Sequence, residues 1–330
     1  MQHHTPSYTL SERMMGLVSA ISEKVGRIAG RNDLESRPHL RRNNTIRSIH
    51  STLRIEANTL TLNEVRDVIS GHPVAGDRKE IQEVKNAFAA YALIPEIDPS
   101  SMAQLKRIHG VMTHLTVEES GEFRRGNVGV FSGDACIFVA PPPHMVTGLM
   151  QDLLAWLKKS DGSVHPLIAS AVFHYEFVFI HPFADGNGRM ARLWHTVILS
   201  RWRSVFRHIP LESRIERSQK QYYDAIAQCH ANGNADVFIG FMLDMIDQAL
   251  DEVIAQADRE QAGTDAYVKR LLDVMEYGVP YALQELLERL GLRSRETLRR
   301  HYLHPAMEAG LVRMTLPDRP NSKNQRYVRP

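Results

Sequence analysis

Apolar residues recur along this chain at helical spacing almost throughout, and strand-like alternation is scarce, so the pattern predicts a mainly α-helical protein. The stretch PLIASAVFHYEFVFI is apolar nearly all round, which predicts a helix buried on every side, with Pro166 at its first position. A second helix follows closely. Met190, Leu193, Trp194, Val197 and Ile198 keep the i, i+3, i+4, i+7, i+8 spacing, so it opens at Gly188 or Arg189. Earlier, TIRSIHSTLRIEANTLTLNEV puts Ile46, Ile49, Leu53 and Leu60 on one helical stripe, and Glu56 falls within it. A buried carboxylate there is costly unless a cation or strong donors meet it, whereas a stripe that reaches solvent at that point needs no partner.

The helical pattern breaks in three places. Residues 127–143, NVGVFSGDACIFVAPPP, hold two short apolar runs about Ser132-Gly133-Asp134-Ala135, a predicted β-hairpin closed by three prolines. Such a hairpin either packs as a structural flap or lends an edge to an extended peptide, and on pattern alone the structural role is favoured. Residues 257–266 are polar and read as a linker. Beyond them come three short helical patterns and a two-stranded wing over LVRMTLPDRPNSKNQRYVRP, an arrangement that resembles a winged helix. The expected organisation is an N-terminal helical region (1–75), a helical core with the hairpin (76–256), the linker (257–266) and a winged-helix-like domain (267–330).

With 330 residues, 43% of them hydrophobic, the chain can bury a large core and form more than one domain. A net charge of +2 gives no case for nucleic acid from the whole chain. Residues 267–330 differ, with twelve Lys and Arg against seven Asp and Glu, a net +5. Arg293, Arg295, Arg299 and Arg300 gather at the start of the predicted recognition helix, with Arg319, Lys323 and Arg326 in the wing. DNA contact is one use of that charge; dimerisation or protein docking is the other. Cys136 and Cys229 lack metal-ligand spacing, the start lacks a signal-peptide pattern, and no apolar run could span a bilayer. A cytoplasmic protein without membrane contact is expected.

The chemistry lies in IHPFADGNGRMAR, residues 180–192. Arg189 and Arg192 share the polar face of a helix's first turn, where the helix dipole favours anions rather than cations. Two arginines there make sense around a bound anion, for which Gly186 and Gly188 would form a backbone nest and Asn187 add an amide donor. A polyphosphate fits this set best. Asp185 offers the hard oxygen that Mg²⁺ needs beside phosphates, and His181 can take a proton from an attacking nucleophile. Each residue alone reads more simply as turn or solvated surface. Together they fix HPFxxGNGRxxR, whose chance match is on the order of 10⁻⁸ at average residue usage.

That string, with GEFRRGNV, CIFVAPPP, His174 and Phe177 ahead of it and Tyr222-Tyr223 after it, resembles the Fic family over about residues 10–250. The resemblance implies transfer of AMP from ATP to a Tyr, Ser or Thr hydroxyl of a protein, with release of pyrophosphate. It makes His181 the general base and Asp185 the Mg²⁺ ligand. Gly186, Asn187 and Gly188 become the phosphate cradle, and Arg189 and Arg192 the clamp on the β- and γ-phosphates. It turns the hairpin into a flap for the target strand, with Ile137 and Phe138 in contact, and points to Tyr223 for the adenine pocket. Thr52-Leu53-Arg54-Ile55-Glu56-Ala57 resembles the family's inhibitory pattern [S/T]xxxE[G/N], which implies a pair between Glu56 and Arg192 that keeps ATP out of its productive pose. Ala57 departs from the preferred Gly or Asn, a change that a continuing helix would accept. Removal of AMP, use of another nucleotide such as UTP, and a nucleotide-sensing DNA-binding regulator stand as alternatives. The residues leave open whether the target is the chain itself and whether a second copy supplies the inhibitory helix.

Overall fold

The computed structural model describes residues 4–31, 37–132, 135–262, 266–320 and 322–330, with the backbone alone for 31, 130–132, 135–138 and 259–262. In chain order the helices are α1 (Glu12–Arg31), α2 (Pro38–Ile55), α3 (Leu62–Ile69), α4 (Arg78–Ala92) and α5 (Met102–Met112). A hairpin of β1 (Gly129–Ser132) and β2 (Ala135–Val139) follows, then α6 (Pro143–Ser160), α7 (Pro166–Ile180) and α8 (Asn187–Trp202). After these come α9 (Leu211–Arg217), α10 (Gln219–Asn232), α11 (Asp236–Ala262), α12 (Ala266–Val274) and β3 (Pro280–Ala282). The last elements are α13 (Leu283–Leu290), α14 (Arg295–Thr297), α15 (His304–Glu308), β4 (Arg313–Met314) and β5 (Arg326–Val328), with a π-helical turn joining α14 to α15. The fold is mainly α, as the apolar period predicts.

Local chemistry sets several of these starts. Thr61 and Glu64 form a capping box on α3, Asp77 and Ser101 cap α4 and α5 through their side-chain oxygens, and Pro166 opens α7. α7 is the central helix: twelve of its residues, from Leu167 to Ile180, are buried, as its uniform apolarity requires.

The chain divides into two units, residues 1–26 with 45–249, and 27–44 with 250–330. In the first, Ile46, Ile49 and Leu53 of α2 share one core with Val84 of α4, Ile108 of α5, Phe173 and Phe177 of α7, and Trp194 and Val197 of α8. That core runs across the boundary drawn at residue 75, so the segment bearing Glu56 is built into the helical core. In the second, Val268, Leu271, Leu286, Leu298, Tyr302 and Tyr327 form a separate core. Its antiparallel sheet has order β3-β5-β4, so a third strand joins the two expected in the wing. α11 continues to Ala262, making residues 257–262 of the polar segment helical. Among the described residues no helix is long and apolar enough to cross a membrane.

Candidate active site

The buried helix α7 ends where the chemistry begins. His181 caps it with φ 51° and ψ 59°, a left-handed conformation that costs an L-residue about 1–2 kcal/mol. Its Nδ1 lies 3.3 Å from the carbonyl oxygen of Val178, a bond that puts the ring proton on Nδ1 and leaves the Nε2 lone pair for a substrate proton. Burial lowers the His181 pKa from its ordinary value, and Arg124 adds to that against the opposing influences of Val178, Glu56 and Asp185. The imidazole is therefore neutral at neutral pH, as a base must be.

The loop that follows is braced from two sides. Asn187 accepts from the Phe183 amide through Oδ1 (3.0 Å) and donates to the Phe183 carbonyl through Nδ2 (2.9 Å), so its side chain locks the turn. Here the structure corrects the expectation of a free amide donor for the anion; what Asn187 can offer a phosphate is its backbone N–H at the start of α8. His109, fully buried, stacks on Phe183 with ring centroids 3.6 Å apart, and its Nε2 meets the Asp185 carbonyl at 2.9 Å. The Gly121 amide donates to its Nδ1, which fixes the neutral tautomer with the proton on Nε2.

Gly186, at φ 81°, begins α8 without any side-chain cap. A Cβ there would lie 3.0 Å from Thr113 Cγ2, so both conformation and space call for glycine. Asp185 is half exposed, and its Oδ2 stands 3.3 Å from Arg189 Nη2. Arg189 is buried and also meets Glu83 of α4 at 3.4 Å. Arg192 is buried too. Its Nε donates to Thr52 Oγ1 (2.9 Å) and its Nη2 to the Thr52 carbonyl (3.0 Å) and to Glu56 Oε1 (2.6 Å). Burial disfavours the Arg192 charge, but Glu56, Tyr222 and Tyr223 together outweigh it and the pKa is raised. Arg192 Nη1 is buried with no acceptor among the described residues.

The Glu56–Arg192 pair thus forms, but Glu56 does not sit within a continuous stripe. α2 stops at Ile55; Asn58 N–H bonds to the Leu53 carbonyl (3.1 Å) and Ala57 N–H to that of Arg54 (3.0 Å), a Schellman motif with Ala57 at φ 66°. Leu60 lies beyond this turn. The Glu56 side chain is 35% exposed, at the rim, rather than buried. Its Oε1 stands where a Cβ on Gly188 would collide with it, so the carboxylate covers the N-terminus of α8.

Tyr223 projects partly exposed from α10, its ring 5.1 Å from that of buried Tyr222, whose hydroxyl pairs with His174 Nε2 at 2.9 Å. Ile137 and Phe138 belong to β2, paired with β1 in antiparallel register, but their side chains lie outside the described residues, as do Gly133 and Asp134 of the turn. Three residues with no signal in the motif complete the site: His109, Glu83 and Arg124. Their parts come from segments 57–106 residues away in sequence, which no local spacing reveals.

Residues 99–199 match the family model described as Fic/DOC family. A crystal structure of a Fic family protein from Desulfovibrio desulfuricans G20 is similar over 99% of this chain and 98% of its own, with 41% identity and a TM-score of 0.74. The chain belongs to the Fic family. Residues 266–328 also match the model for the Filamentation induced by cAMP protein Fic-like, C-terminal domain. A Drosophila grimshawi protein named protein adenylyltransferase Fic is 32% identical over 212 residues, covering 62% of this chain and 41% of that protein. The chain therefore spans about two fifths of the length of the curated relatives it matches. A Fic domain containing signaling protein from Bacteroides thetaiotaomicron shares the fold at 18% identity, with a TM-score of 0.56 over 75% of this chain and 98% of its own.

Proposed function

We propose that this Fic protein is an adenylyltransferase that moves AMP from ATP to a hydroxyl side chain of a protein and is held inactive by Glu56. One observation carries the reading: a neutral His181, its ring proton held on Nδ1, stands at the head of a loop whose two buried arginines flank an uncapped helix N-terminus, with Arg192 Nη1 lacking an acceptor among the described residues. Such a terminus with an orphaned guanidinium donor suits a phosphate chain. In the reaction the target hydroxyl oxygen attacks the α-phosphorus and the bond to the β-phosphate oxygen breaks. Pyrophosphate leaves with that electron pair, between Arg189 and Arg192, and the hydroxyl proton passes to His181 Nε2. The residues fit Mg²⁺, since the half-exposed Asp185 carboxylate offers a hard oxygen beside the arginines and phosphates would supply further ones; the ion would neutralise charge on the leaving pyrophosphate. Glu56 covers the same helix end, so its carboxylate and a phosphate exclude each other.

Tyr223, exposed beside Glu56 and Arg192, is our candidate for the base of the nucleotide. Ile137 and Phe138 on β2 are our candidates for the target strand. Removal of AMP by water is the second reading, favoured by a Glu56 carboxylate that is solvent-accessible next to the base. Purified protein with α-labelled ATP and Mg²⁺ tests all of this. Glu56→Gly should raise label on protein by at least about tenfold, and His181→Ala should abolish it. Equal label on wild type and Glu56→Gly would overturn the inhibition. No label despite bound ATP would favour AMP removal or another nucleotide.

We read the C-terminal unit as a winged helix and the whole as a cytoplasmic protein with a buried free thiol at Cys229. Arg270 and Arg329 are structural, donating to the Leu290 and Leu272 carbonyls. Arg295, Arg299 and Arg300 instead line one open groove with His304, where they outnumber Glu296 and Glu308, and this excess of positive charge supports contact with DNA. Duplex binding that weakens steeply with salt would bear this out, and homo-oligomers would appear in light scattering on the same sample.

A further inference from the structure

Arg124 enters the chemistry above only through its charge, which helps to lower the His181 pKa, although its guanidinium also touches the backbone of the base itself. Its Nε donates to the His181 carbonyl at 2.7 Å and its Nη2 to those of Pro141 (2.5 Å) and Ile180 (3.3 Å). Nη1 donates to the Gly126 carbonyl at 2.9 Å, and the Arg124 backbone N–H to that of Pro182 at 3.0 Å. The residue is 3% exposed, and every one of these acceptors is a main-chain carbonyl. Burial without an acid to offset it lowers the Arg124 pKa from the usual guanidinium value, so its place is set by the carbonyls alone.

The geometry has a physical logic. A helix end leaves carbonyls without partners, and the left-handed turn at His181 brings those of Ile180 and His181 within reach of one planar donor fork. Gly126 and Pro141 flank the hairpin, which is closed near its base by the Ala140 N–H on the Val128 carbonyl at 3.0 Å. A lysine has the charge but not the fork.

We propose that Arg124 is a positioning residue: it holds His181 in the left-handed conformation that aims its ring, and ties both ends of the β1–β2 hairpin to that same residue. The proposal rests on His181 being the base, and its test uses readouts that need no AMP transfer, so the two can fail separately.

The test uses the full chain carrying Glu56→Gly, with Arg124→Lys or Arg124→Gln added and histidines ¹³C-labelled; His181 is assigned by its loss in His181→Ala. With either Arg124 substitution the His181 Cα and Cβ shifts should leave their left-handed values. Exchange of the Ala140 amide should rise about tenfold or more. The Kd for MgATP should change by less than about threefold, because the phosphate residues lie in 185–192. Unchanged His181 shifts and Ala140 protection in both variants would overturn the proposal. So would Lys preserving both where Gln loses them, since charge alone would then suffice. Loss of ATP binding or of folding in Arg124→Lys would also overturn it, marking Arg124 as general scaffold.

Discussion

His181 combines an unfavourable backbone conformation with burial that keeps its ring neutral, and the surrounding side chains are what make both persist. Asn187 is the clearest of these, because its amide satisfies both the N–H and the carbonyl of Phe183. Asn187→Asp offers only acceptors, so it keeps one bond and sets a carboxylate oxygen against a carbonyl. We expect a loss of about 1–3 kcal/mol in urea denaturation and a collapse of label transfer in the Glu56→Gly background. Unaltered stability would sink the bracing role. At this scale the motif made His181, Asp185, Gly186, Gly188, Arg189 and Arg192 legible as candidates, since their spacing within one turn is itself the constraint. The inward use of Asn187 was not legible, because an amide reads alike whether it faces a ligand or its own loop.

The end of α2 shows what an element adds. Glu56 sits at a helix C-terminus, where the dipole disfavours an anion, and Arg192 offsets that. Ala57 then takes a positive φ that glycine adopts freely. Ala57→Gly should stabilise the chain by roughly 0.5–1 kcal/mol, after the entropy that glycine adds to the unfolded state, and should lower basal label transfer by fixing Glu56 more firmly. A lower urea midpoint or higher basal transfer would contradict it. The sequence hid this turn because alanine is the best helix former and Leu60 keeps the apolar period beyond it. α7 was legible for the opposite reason: fifteen nearly uninterrupted apolar positions leave burial as the only stable solution. β3 was missed because three residues that include a proline carry too little pattern to read as a strand.

The whole molecule responds to pH through histidines that packing keeps uncharged. Burial lowers the pKa of His109 and of His195 to about 4, from the ordinary 6.5. The unfolded chain therefore binds more protons than the fold between those values, so stability is full above about pH 6.5 and falls as pH drops toward 4. The loss should reach up to about 1.4 kcal/mol per pH unit for each group. Urea midpoints at pH 7.5 and 5 should differ accordingly, and His109→Gln should flatten part of the slope; equal midpoints in the wild type would refute the linkage. From the sequence alone came the helical class, the second module and the loop motif at residues 181–192, because period and spacing are local properties, while the Glu56–Arg192 pairing came from the family resemblance. Tertiary structure decided the rest: where α2 stops, that Glu56 lies at the rim against Gly188, and that His109, Glu83 and Arg124 serve the loop. Those facts depend on which distant segments pack together, and a backbone carbonyl met across more than fifty residues leaves no trace in the order of side chains.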